Sequence, residues 1–245
     1  MFSKLMHTNP FDTPIVTNDL SAEEAVDLFS DVFAEFHTLR NPGHTFLNGS
    51  RGSGKTMMYR LMQPDCMLLK SGCTVNDLDF LGIYIGVKAP NFNKTEFVYL
   101  QDHADSLISE HYLTVNLTTI FFNQLSKIPF EESIEDISKM KTIYKTYFVN
   151  RLSELGRECK LPIKDSFSGI KEIFTAISLE CLEVLKEFND FADNLFAKAK
   201  NNDITYSGIL LKYSNFLYDL LEQIRTLSCM PKGKPFFIMI DDADN

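Results

Sequence analysis

The chain has 245 residues, 44% of them hydrophobic, with 21 Phe and no Trp, enough for a full core in one large domain or two small ones and unlike a disordered segment. Its formal net charge of −9 is spread along the sequence without a run of Lys and Arg, which argues against a nucleic-acid groove in this portion. No apolar run approaches the roughly 18 residues of a membrane helix, and the start Met1-Phe2-Ser3-Lys4 has no signal-peptide core, so a soluble, cytoplasmic protein is expected.

In chain order, Asn9-Pro10-Phe11-Asp12-Thr13-Pro14 reads as a rigid extended lead-in. Ser21-Ala22-Glu23-Glu24 has capping-box spacing and opens a helix whose apolar positions keep a helical period to Arg40, where Asn41-Pro42-Gly43 stops it. Thr45-Phe46-Leu47-Asn48 predicts a short buried strand. It feeds Gly49-Ser50-Arg51-Gly52-Ser53-Gly54-Lys55-Thr56, which fits G-x-x-x-x-G-K-[ST], and Met57 to Met62 continues as a helix that Pro64 ends. Residues 66–79 read as loop, and Phe80 to Val87 has the β-branched and aromatic content of a central strand.

From about Asp102 to Leu227 helical periodicity dominates, with breaks expected near Pro129, Pro162 and Ser207-Gly208. A helical region of that length between two parallel strands reads as an insertion rather than a simple crossover. Within it Ile170, Phe174, Ile177, Cys181, Val184, Phe188, Phe191 and Leu195 repeat at heptad spacing, so a coiled coil has to be considered. Ile173, Leu185 and Ala192 widen the stripe, which favours a helix packed in a globular bundle. After a turn-rich Met230-Pro231-Lys232-Gly233-Lys234-Pro235, five apolar residues from Phe236 to Ile240 end in Asp241-Asp242, the Walker B pattern.

The chemistry of the two motifs follows from their residue types. Glycines at 49, 52 and 54 let successive backbone N–H groups turn toward an anion, and Ser50, Arg51 and Ser53 complete the wrap. Lys55 can reach the β- and γ-phosphates, Thr56 offers a hydroxyl to Mg²⁺, and the helix beginning here points its positive end at the phosphates. Asp241 is expected to hold Mg²⁺ directly or through water, and Asp242 to polarise the attacking water.

These residues make the chain resemble P-loop ATPases of the additional-strand class, which holds AAA+, STAND and KAP-type proteins. The lead-in Asn9-Pro10-Phe11, the loop Phe46 to Thr56 and the end Ile240-Asp241-Asp242-Ala243-Asp244 are similar to bacterial ATPases grouped with origin-recognition-type AAA proteins, some of them in phage-defence loci. The resemblance implies ATP and Mg²⁺ as cofactors, a protein partner or self-association, and a role in defence or nucleic-acid-related machinery. Asp242 stands where AAA+ proteins usually carry Glu, which brings slow hydrolysis or a nucleotide-gated switch into view as the alternative function. In that class a strand after Walker B lies between the two motif strands, so the chain is expected to be the N-terminal part of a longer protein, hydrolytic when complete. The other arrangement weighed, a kinase- or GTPase-type sheet with neighbouring motif strands, lacks N-K-x-D and does not suit the long insertion.

The expected fold is therefore α/β, an incomplete P-loop parallel sheet with a large helical insertion. Residues 1–100 would hold the lead-in and P-loop half, 101–230 the insertion, and 231–245 the Walker B strand. Other candidates have plainer readings. Pro10 and Phe11 read as packing rather than adenine contacts, and Arg51 as solvated. His103 and His111 read as surface or packing histidines without H-E-x-x-H spacing, and Asp102 and Asp105 as helix-start carboxylates. Five scattered cysteines, Cys66, Cys73, Cys159, Cys181 and Cys229, read as reduced thiols rather than a zinc site.

Overall fold

The computed structural model describes residues 20–28, 39, 41, 43–50, 53–86, 102–159, 167–194, 208, 210–212 and 216–241, with side chains from 107 onward in the helix that begins at 102. The chain divides into two compact units, Met1–Cys73 and Thr74–Asn245.

In the first unit, α1 (Ala22–Leu28) opens on the expected capping box. The Glu24 N–H donates to Ser21 Oγ at 3.2 Å, and the Ser21 N–H donates to Glu24 Oε2 at 3.0 Å. Residues 29–38 and the lead-in Asn9–Pro14 lie outside the described residues. Helix α2 (Lys55–Leu61) follows the glycine loop, and α3 (Pro64–Ser71) packs with α2 and α1.

Two expectations for this unit are corrected. Residues 66–79 are not a loop, because α3 occupies 64–71 and a single 3₁₀ turn spans Val75–Asp77. Pro64 starts α3 at its first position, where its missing N–H is not needed, and Gly72 closes it at φ 65°. Thr45–Asn48 do not form a strand, and Phe46 is 96% exposed. The apolar run alone is insufficient, since a strand needs a ladder partner for its N–H and C=O groups and these residues have none among the described residues.

In the second unit, β1 (Leu81–Gly86) and β2 (Phe236–Asp241) pair in parallel, Leu81 opposite Phe236 and Gly86 opposite Asp241. These are the two strands expected there. Leu81, Ile83 and Ile85 are almost wholly buried. Between the strands in sequence come α4 (Asp102–Leu125), α5 (Ile134–Ile143), a π-helical turn (Tyr144–Val149), α6 (Asn150–Glu154), α7 (Ile170–Asp193) and α8 (Leu217–Ile224). The break near Pro129 separates α4 from α5, while Pro162 and Ser207 lie outside the described residues.

Helix α4 covers the sheet and pairs with α7. Phe121 meets Phe236 of β2 with ring centroids 5.8 Å apart, and Phe122 meets Phe174 of α7 at 5.7 Å, so phenylalanine fills the seam in a chain that has no Trp. The buried face of α7 includes Ile173, Ala176 and Ala192 besides the heptad positions, the wide stripe of a bundle helix. Buried polar groups pin α5 and α7 to connecting segments of the chain. Asp136 accepts from the Ser228 N–H and hydroxyl, each at 2.6 Å, and closes a capping box with Ser133. Burial pushes its carboxyl pKa upward, but the Ser228 and Ser133 donors outweigh that and hold it below the usual range. Glu180, fully buried, and Glu187 share Arg157 at 3.4 and 2.6 Å.

His111 is a packing histidine, as the sequence predicts. It is fully buried, its Nδ1 accepts the Leu211 N–H at 3.0 Å, and Phe188 stands edge-on with centroids 5.6 Å apart. Burial first, and the Arg157 cation second, push its pKa down to about 4. The folded imidazole stays neutral while the unfolded one takes up a proton near the ordinary value, so this contribution is complete above that value and is lost as pH falls toward 4. The unfolding free energy in urea should drop by about 2 kcal/mol between pH 7 and 5. His111→Gln should flatten that slope, and an equal slope in the variant would remove His111 as its source.

Candidate functional site

The glycine loop lies in the first unit. Ser53 turns back on Ser50, its N–H donating to the Ser50 carbonyl at 3.2 Å. A Cβ built on Gly49 would stand 2.7 Å from Ser53 Oγ, so a larger residue there would require the Ser53 side chain to turn away. Gly54 caps α2 at φ 87°, a left-handed conformation that a side chain would strain. Lys55, the first residue of α2, folds its ammonium back into the loop, donating to the Gly49 carbonyl and, at 3.2 Å, to the Ser50 carbonyl. Thr56 follows in the first turn of α2. Arg51 and Gly52 lie outside the described residues.

Helix α2 is fixed from behind. Arg60, 6% exposed, forms a two-pronged ion pair with Asp65 of α3 at 2.8 and 2.7 Å and donates to the Leu20 carbonyl at 3.1 Å. Cys66 beside it is a buried thiol whose pKa burial, and then the Asp65 charge, push up to about 11. It is a packing residue and no nucleophile at neutral pH. All five cysteines are free, as expected of reduced thiols.

Asp241 lies in the second unit, at the C-terminal end of β2, where a parallel strand delivers its last side chain. It is 6% exposed and accepts from the Tyr84 hydroxyl at 3.2 Å through Oδ2. Asp242 lies outside the described residues. On the other side of β1, Gln124 of α4 accepts the Tyr84 N–H at 3.1 Å and donates to the Tyr84 carbonyl, standing in for a neighbouring strand.

Tyr84 and Gln124 escaped the sequence motifs. The signal for Tyr84 was a polar-tipped aromatic in an otherwise aliphatic buried strand, Leu81-Gly82-Ile83-Tyr84-Ile85-Gly86, since a buried phenol needs a partner. Nothing in the sequence marked Gln124 among its helical neighbours.

The loop suits a polyphosphate. It has a turn that ends on a left-handed Gly54, a cation already directed into it, and a threonine one position on. A buried strand-end carboxylate is the hard oxygen donor that Mg²⁺ prefers. A family model described as ORC-CDC6-like matches the chain over residues 9–245. No curated protein and no solved structure matches it.

Proposed function

Because the chain belongs to the ORC-CDC6-like family, whose AAA+ relationship supports a P-loop nucleotide-binding domain, we propose that it binds ATP with Mg²⁺ and couples nucleotide state to a partner. The observation that carries this reading is the Lys55 ammonium held against the Gly49 and Ser50 carbonyls in a loop that ends on Gly54 in the left-handed conformation. ATP phosphates would take over that ammonium from the two carbonyls. The backbone from Gly49 to Thr56 would surround them, and the Thr56 hydroxyl and Asp241 carboxylate would hold Mg²⁺. When bound, Mg²⁺ supplies positive charge at the β- and γ-oxygens. Asp242 would orient and polarise the attacking water in a hydrolytic site.

We favour the additional-strand class on the resemblance carried by the glycine loop and the Walker B end, beside the match to the ORC-CDC6-like family model. We take residues 1–100 as the P-loop half of the core, 101–230 as the inserted helices and 231–245 as the Walker B strand. The partner is proposed to be a protein or a second copy of the chain, in the cytoplasm. Among the described residues no helix is long and apolar enough to cross a membrane. Asp242 in place of Glu favours the second reading, a switch that binds ATP and hydrolyses it poorly.

Thermal unfolding tests the shared part of both readings. ATP with Mg²⁺ at about 100 times its Kd should add ~2.7 kcal/mol, a rise of about 5 °C or more in Tm, and GTP should add far less. Equal shifts with both nucleotides would remove the adenine preference.

A further inference from the structure

The Walker B carboxylate is held from the neighbouring strand. Tyr84 and Gly86 lie two residues apart on β1 and so face the same side of the sheet, and Gly86 stands opposite Asp241 in the parallel register. The Tyr84 ring crosses Gly86 on its way to Asp241. A Cβ on Gly86 would stand 3.3 Å from the Tyr84 hydroxyl oxygen and 3.4 Å from the ring edge, so the missing side chain leaves the path open. At its end the hydroxyl donates to Asp241 Oδ2 at 3.2 Å, with both residues more than nine-tenths buried. The backbone of Tyr84 is itself clamped by both polar groups of Gln124. A strand-end aspartate can rotate about two side-chain bonds, and a buried donor on one oxygen narrows that freedom.

We propose that Tyr84 is a positioning residue for the metal-binding carboxylate, fixing the plane of Asp241 through Oδ2 so that Mg²⁺ meets a preset ligand, with Gly86 reserving the space. The inference rests on the proposed role of Asp241 in holding Mg²⁺. Its chemistry is that of an outer-shell hydrogen bond to a metal ligand, whose loss typically lowers metal affinity about tenfold or more.

The test is calorimetric titration of the full chain with ATP, in EDTA and across a Mg²⁺ series, together with thermal unfolding without nucleotide. Tyr84→Phe keeps the ring and removes the donor. It should raise the Mg²⁺ concentration for half-maximal gain in ATP affinity about tenfold while leaving affinity in EDTA unchanged. Gly86→Ala, which crowds the hydroxyl without removing it, should move the same quantity in the same direction by a smaller factor, and it serves as the readout if Tyr84→Phe fails to fold. An unchanged Mg²⁺ midpoint, or an equal loss of affinity in EDTA, overturns the positioning role while leaving the nucleotide site intact. If Mg²⁺ adds nothing to ATP affinity in the unaltered chain, the proposed role of Asp241 fails and Tyr84 loses its role with it.

Discussion

Replacing Lys55 by alanine is expected to weaken ATP binding about 100-fold, from removal of a cation whose charge-assisted hydrogen bonds to phosphate are worth ~3 kcal/mol. The ammonium sits in the glycine loop on the Gly49 and Ser50 carbonyls, so little reorganisation separates its resting position from a phosphate-binding one. Lys55 is only partly buried and opens a short helix, so the folded chain should lose less than about 1 kcal/mol without nucleotide. The two effects separate in calorimetry and unfolding run on the same variant. Lys55→Arg should recover part of the affinity, limited by the larger planar head group. Unchanged ATP affinity in Lys55→Ala would place nucleotide binding, if any, away from this loop.

Asp242→Asn should reduce ATP turnover by a factor of about 100 or more and change ATP affinity little, because a general base acts on the water and not on the phosphates. Phosphate release at saturating ATP reads the first effect and calorimetry the second. Turnover that survives the change removes Asp242 from catalysis. If the unaltered chain binds ATP and releases phosphate no faster than ATP without protein, the switch reading replaces the hydrolytic one. An aspartate here reaches one methylene less far than the glutamate usual in AAA+ proteins, which is the physical reason both outcomes are worth separating.

Much of the second unit was legible because its signals are periodic or dense. The stripe from Ile170 to Phe191 gives α7 and its wide buried face, and the apolar runs at 81–86 and 236–240 give the two paired strands. Their parallel pairing follows from the long helical stretch between them. The first unit was less legible. The helix before Pro64 ends by it, at Leu61, as the sequence predicts, but Pro64 also begins α3, and Pro64 and Gly72 together make a start and stop pair eight residues apart. Phe46 and Leu47 carry the composition of a buried strand, but composition does not supply a ladder partner.

At the candidate site, Gly49, Gly54 and Lys55 stand out in the sequence because a turn around an anion demands those residue types in that order; in the structure Gly54 takes a left-handed conformation and Lys55 folds back onto the loop. Tyr84 was not identified, since its partner Asp241 lies 157 residues away in sequence and only the strand register joins them. A contact between strands distant in sequence leaves no spacing to read.

Calorimetric titration of the chain with ATP and with GTP in the presence of Mg²⁺ reads nucleotide binding at the glycine loop. One saturable ATP site, lost in Lys55→Ala and weaker for GTP, is the predicted result. Absence of measurable ATP binding at millimolar concentration, in a chain that unfolds cooperatively, would rule out the nucleotide site.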